Sequence, residues 1–281
     1  MPQYLENYNA SIIDKVNRLE TIEEPKIVLL GNSNLAFGCD SKLIEDAFGM
    51  PVVNMGLHGG LGNKFHENMA KLNVNRGYIY ILCHSNYNDD GTIPDKTLAW
   101  LTIENHLDFY KILELNDMTS MIMDYPIYLK KCINLWREGE GNKQDYSSYS
   151  RSWFNEYGDV YLQRYNAYIF DENSLVVPSI NDNVLDRINK LNEYITERGA
   201  ILVVAAFPVG KGEYTPDVSQ YIKFWNELQE KLDCPVISNI EDYMFDYEYF
   251  WDTYIHMTSD GAILRTEQLI EDLKNSGLII N

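Results

Sequence analysis

Apolar residues along this chain recur with two alternating periods. Ile12, Ile13, Val16 and Leu19 are spaced as one face of a helix and predict one over 10–19. "KIVLL" is a short branched run without polar interruption, which suits a strand buried on both faces. "DSKLIEDAFG" returns to the helical period, with Asp40 or Ser41 as N-cap, an apolar face of Leu43, Ile44, Ala47 and Phe48, and Gly49 as stop. "PVVNMG" reads as a second strand, "NKFHENMAKLNVNRG" as a helix reaching Gly77, and "YIYILC" as a third strand.

The alternation resumes with a helix in "DNVLDRINKLNEYITERG", where Val184, Ile188, Leu191 and Ile195 share a face. A fourth strand, "AILVVAAFP", a helix, "DVSQYIKFWNELQEKL", and a short fifth strand, "PVISN", follow. "TSDGAILRTEQLIEDLKNSG" is the closing helix, capped by Thr258 or Ser259. Strands alternating with helices at this spacing build βαβ units, so the expected fold is α/β with a five-stranded parallel sheet.

Residues 91–180 interrupt that pattern, and a βαβ crossover needs only a dozen or more residues. The segment reads as a helical, aromatic-rich insertion within a single domain spanning 1–281, with helices in "WLTIENHLDFYKILEL" and "MIMDYPIYLKKCINLWREG". Its second half is dense in rings, from Tyr146, Tyr149, Trp153 and Phe154 through Tyr157, Tyr161, Tyr165, Tyr168 and Phe170. Such rings serve either as a ligand platform or as plain packing.

Charge narrows the functional classes. A net charge of −19 repels phosphate backbones and argues against a nucleic-acid partner. The longest apolar run, "AILVVAAF", falls far short of the roughly 18–20 residues that span a bilayer, and the N-terminus lacks the pattern of a signal peptide. A cytoplasmic protein is expected from these features, or an extracytoplasmic one if an anchor has been removed. Cys39, Cys83, Cys132 and Cys234 form no C-x-x-C pair and read as free thiols. His58, His66, His84 and His106 lack metal-ligand spacing, so no metal or other cofactor is expected.

In an open parallel sheet, ligands bind beyond the carboxyl ends of the strands. There this chain collects Gly31-Asn32-Ser33-Asn34, the turn Asn54 to Gly60, "HSNYND", and the later "FWDTYIHMTSDG". These are the parts of acyl transfer. A serine hydroxyl needs a histidine to take its proton, the histidine needs a carboxylate, and backbone N–H groups of a glycine turn can hold an oxyanion. Ser33 is the candidate nucleophile, His256 the base and Asp252 its orienter. Asn34, His58 and His84 lie on the same rim and are candidate substrate contacts.

These blocks resemble the SGNH/GDSL hydrolase superfamily over residues 26–89 and 200–272, most closely an uncharacterised bacterial branch distantly similar to D-alanine-transfer proteins. Gly31-Asn32-Ser33 matches its Gly-Asp-Ser block, Asn54 to Gly60 its glycine turn, and Asp252 with His256 its late Asp-His pair. Three departures stand out. Asn32 replaces the aspartate, three residues rather than two separate Asp252 from His256, and "CHSNYND" stands where Gly-x-Asn-Asp is usual. The resemblance implies a three-layer α/β/α sandwich with a flavodoxin-like sheet. It implies an oxyanion hole of Ser33, Gly59 and Asn86, with Asn88 as the other choice for the last donor. It further implies an esterase acting on an acylated, carbohydrate-like substrate. An O-acyltransferase in surface-polymer modification would use the same triad, and a non-catalytic carbohydrate-binding module could keep the same fold.

Overall fold

The computed structural model describes residues 4–138 and 149–279. In chain order the elements begin with α1 (Ile12–Thr21), β1 (Ile27–Gly31), α2 (Ser33–Ala36), α3 (Ser41–Phe48), β2 (Val52–Asn54), α4 (Asn63–Met69) and β3 (Ile79–Cys83). Two helices of the insertion follow, α5 (Lys96–Ile103) and α6 (Leu115–Arg137). The chain closes with α7 (Asp182–Thr196), β4 (Ile201–Val204), β5 (Val209–Lys211), α8 (Val218–Lys231), β6 (Met244–Asp246) and α9 (Ser259–Asn275).

The fold is mixed α/β around a parallel sheet of four strands in the order β2-β1-β3-β4. Ile27 pairs with Val52 on one side and Ile79 on the other, and Ile79 with Ile201. Every residue of β1, β2 and β3 is buried, as the apolar runs of β1 and β3 require, and β2 ends in the buried Asn54. The helices end where local chemistry stops them. Asp40 accepts from the Lys42 and Leu43 N–H groups at the start of α3, and Gly49 closes it in the left-handed region at φ 63°. Thr258 accepts from Gly261 N–H at the start of α9.

Four expectations need correction. The fifth strand shrinks to a single parallel bridge between Val204 and Val236. Pro235 has no N–H to continue the ladder, and the Ser238 carbonyl is taken by the Trp225 indole at 2.7 Å. The helix expected to reach Gly77 ends at Met69 with one 3₁₀ turn beyond it, because Asn73 is extended and gives its side-chain N–H to the Leu19 carbonyl. The helix expected over 100–115 splits into α5 and a 3₁₀ turn, Leu107–Lys111. The second half of the insertion, from Tyr149 onward, forms no α-helix, holding only a 3₁₀ turn, Arg151–Trp153, and isolated antiparallel bridges of Ser150 with Asn7 and of Phe154 with Val160. Tyr146 lies outside the described residues. A small second sheet, β5 with β6, was not anticipated.

The first half of the insertion shares the core of the sheet, whereas Val160 packs with Tyr8 and Phe37, and Phe170 and Leu175 with Phe250 and Met257, in two smaller clusters. Leu98, Leu101, Ile103, Phe109, Met121 and Leu135 join the same apolar cluster as the sheet. The irregular half is pinned to the sheet edge by Asp159, which accepts from Ser41 Oγ at 2.7 Å and Asn54 Nδ2 at 2.8 Å. Buried Lys15 completes the pin by donating to the Asn54 carbonyl at 2.8 Å and the Gly158 carbonyl at 2.5 Å. Among the described residues no helix is long and apolar enough to cross a membrane, and the four cysteines are free.

Candidate active site

β1 ends at Gly31, and a parallel bridge between Asn32 and Leu57 carries the pairing one residue further. The chain then turns into α2 with Ser33 as its first residue. The Asn32 side chain caps this turn, its Oδ1 accepting from Asn34 N–H at 2.9 Å. That cap needs an oxygen acceptor, which asparagine supplies as well as an aspartate would. The other end of the Asn32 amide donates to Ser85 Oγ at 2.8 Å.

The base arrives from the far end of the chain. An antiparallel bridge between Phe250 and Met257 closes a tight loop, and Trp251 N–H donates to the His256 carbonyl at 2.8 Å. Within that loop His256 Nδ1 lies 2.8 Å from Asp252 Oδ1. Its Nε2 lies 2.8 Å from Ser33 Oγ, across 223 residues of sequence. Ser33 and His256 are 7% and 4% exposed, so the pair is shielded yet reachable.

The surroundings hold this line of groups in place. Phe37 stacks on the His256 ring at 4.1 Å between centroids. Tyr149 donates its hydroxyl to the second Asp252 oxygen at 2.7 Å. Burial pushes the Asp252 carboxyl up, but the hydrogen bonds from His256 and Tyr149 outweigh it and hold the group below the usual carboxylate value. Burial and the bond to Asp252 push the Tyr149 phenol well up, so it stays a donor. Buried Arg164 spans both halves of the site, donating to the Phe37 carbonyl and the Met257 carbonyl at 3.0 Å each.

The other sequence candidates fall in different places. Gly59 lies beside Asn32, where an added Cβ would stand 3.8 Å from Asn32 Nδ2. Its N–H has no protein acceptor among the described residues, while its neighbour Gly60 donates to His58 Nδ1 at 2.9 Å. Asn86 is exposed, its Oδ1 accepting from Asn88 N–H. The residue that reaches the nucleophile turn is its predecessor, Ser85. His58 is exposed, and its pKa is lowered by its packed surroundings and by nearby His256.

Asn34 and His84 are interior and have no face for a substrate. Asn34 is held by Arg265, whose Nη1 donates to its carbonyl at 2.6 Å and Nη2 to its Oδ1 at 2.9 Å. His84 is buried against Glu67 at 3.2 Å. Sequence reasoning missed Tyr149 and Arg164 as partners of this site, and nothing in the sequence marks them beyond the density of rings around them. Among the described residues, Glu20, His106 and Asp108 bring three potential metal donors together, and none belongs to the Ser33 site.

No family model matches the chain, and no curated protein sequence matches it.

Proposed function

We propose that this protein is a serine esterase of SGNH/GDSL type. The observation that carries the reading is the unbroken line Ser33–His256–Asp252, with both contacts at 2.8 Å. That is hydrogen-bond reach for a nucleophile, its base and the base's orienter. The strand order β2-β1-β3-β4, with Val236 bridged beyond β4, supports the flavodoxin-like, three-layer arrangement that goes with this activity.

In the proposed reaction the Ser33 hydroxyl passes its proton to His256 Nε2 as Oγ attacks the ester carbonyl carbon. The Asp252 carboxylate accepts from His256 Nδ1–H and stabilises the imidazolium that forms. The carbonyl oxygen becomes an oxyanion held by the unengaged Gly59 N–H and the Ser33 N–H. The tetrahedral intermediate collapses, His256 returns the proton to the departing alkoxide, and an acyl-Ser33 ester remains. Water then repeats the sequence, giving its proton to His256, and frees the carboxylic acid.

The test is intact-protein mass after treatment with a serine-directed fluorophosphonate, on wild type, Ser33→Ala and His256→Ala. One adduct on wild type and none on either folded variant is expected. Turnover of an activated ester should fall on the order of 10⁴–10⁶-fold in both variants. A folded wild type that takes no adduct overturns the reading.

A further inference from the structure

A cavity of about 370 Å³ opens against Ser85 and Ile255 and is not lined by Ser33, His256 or Asp252 themselves. It lies toward the small end of small-molecule sites, which run from about 300 to 1,000 Å³. Two of its lining residues tie it to the chemistry. Ser85 accepts from Asn32, the residue before the nucleophile, and Ile255 directly precedes the base. Residues from the exit of β3, the last stretch of the insertion and the exit of β4 form the remaining wall together with Tyr221 of α8 and Tyr254.

The lining contains no Asp, Glu, Lys, Arg or His among the described residues, in a chain whose net charge is −19. A charged group entering here would lose water without meeting an opposite charge, which is costly. Asn86, Asn88 and Asn173 line the cavity, and the side-chain amides of Asn88 and Asn173 make no hydrogen bond to the described protein. An amide both donates and accepts, as a hydroxyl does, so these groups suit a hydroxylated ligand. Leu175, Val177 and Phe207 also line it and offer apolar surface to the C–H face of a ring.

We propose that this cavity binds the uncharged, polyhydroxylated ring of the substrate ester, a neutral pyranoside rather than a uronate, an amino sugar or a lipid chain. The inference rests on the esterase reading above, because the ring is placed by its ester bond at Ser33. Asn173 then acts as a specificity-determining residue.

Three acetate esters test this: an acetylated methyl glucoside, the matching acetylated methyl glucuronoside, and 4-nitrophenyl acetate as a substrate with no sugar. The expected result is at least tenfold higher kcat/KM for the neutral glucoside than for the glucuronoside. Asn173→Ala, at an exposed position, should lower the ratio of glucoside to 4-nitrophenyl acetate kcat/KM by about 3- to 10-fold, through KM. A wild type that takes the fluorophosphonate adduct but treats glucoside and glucuronoside alike overturns the cavity assignment alone. An unchanged ratio in Asn173→Ala overturns the role of that residue. A wild type without the adduct overturns the esterase reading, and the assignment falls with it.

Discussion

Tyr149 and Asp252 are 103 residues apart in sequence, yet the phenol donates to the carboxylate at 2.7 Å. His256 uses the other oxygen of the same carboxylate. The orienter is therefore fixed from two sides, one by its own loop and one by the aromatic insertion. The insertion thus takes part in holding the line Ser33–His256–Asp252, whatever else its rings do.

Removing that second tether should loosen the base without removing it. In Tyr149→Phe the Asp252 carboxylate keeps its bond to His256 and loses the one that also stabilises its ionised form. One hydrogen bond to a charged group contributes about 1.5–3 kcal/mol. The expected outcome is a roughly 10-fold or larger fall in kcat/KM, with the rate of fluorophosphonate labelling falling in parallel because both depend on an oriented His256. Rates within twofold of wild type would show that the phenol has no positioning role.

Gly31, where β1 ends, has no space for a side chain. A Cβ there would stand 2.5 Å from the Cys83 carbonyl of the neighbouring strand and 2.9 Å from Leu35 Cδ1. Backbone on the adjacent strand cannot yield as a flexible side chain would. Gly31→Ala should lower stability by about 1–3 kcal/mol, measured by urea unfolding. It should also slow labelling of Ser33, because the strand end carrying the nucleophile must move. Wild-type stability in the variant would mean the strands separate at no cost.

Lys15 makes the stability depend on pH in a definite direction. Burial lowers its pKa from 10.5 to about 7, against the opposing pull of Asp159. The folded state therefore binds this proton less tightly than the unfolded chain does. Between pH 7 and about 10 the unfolded state carries the extra proton, so stability gains as pH rises through that window. Lys15→Met loses the bonds to the Asn54 and Gly158 carbonyls and should be less stable at every pH. The informative quantity is the difference in slope. From pH 7 to pH 9, urea unfolding should show wild type gaining stability relative to Lys15→Met. Parallel pH profiles would mean the ammonium keeps its ordinary pKa inside the protein.

Much of this molecule is legible one residue at a time. The strands of the sheet announce themselves as branched apolar runs, because a strand buried on both faces has no polar side to show. Asp40, Gly49 and Thr258 mark helix ends because caps and left-handed turns have strong local preferences. The rim rule for parallel sheets groups the segments that carry Ser33, Asp252 and His256 on one edge. What local pattern could not show is where long-range partners compete for the backbone. "PVISN" has strand-like composition, but Pro235 and the indole of Trp225 limit its pairing to one bridge.

The sequence by itself thus determined the alternation of strands and helices, the turn at the end of β1 that carries Ser33, and the identity of the three side chains proposed for acyl chemistry. Those properties depend on short-range periodicity and side-chain type. Only the tertiary structure decided that Asn34 and His84 are interior, that Ser85 rather than Asn86 touches the nucleophile turn, and that Tyr149 and Arg164 brace the site. It also decided that an uncharged cavity opens beside Ile255. These are contacts between segments tens to hundreds of residues apart. Those of Tyr149 and Arg164 are set by how the irregular half of the insertion packs across the sheet edge, and an irregular segment carries no period from which that path can be read.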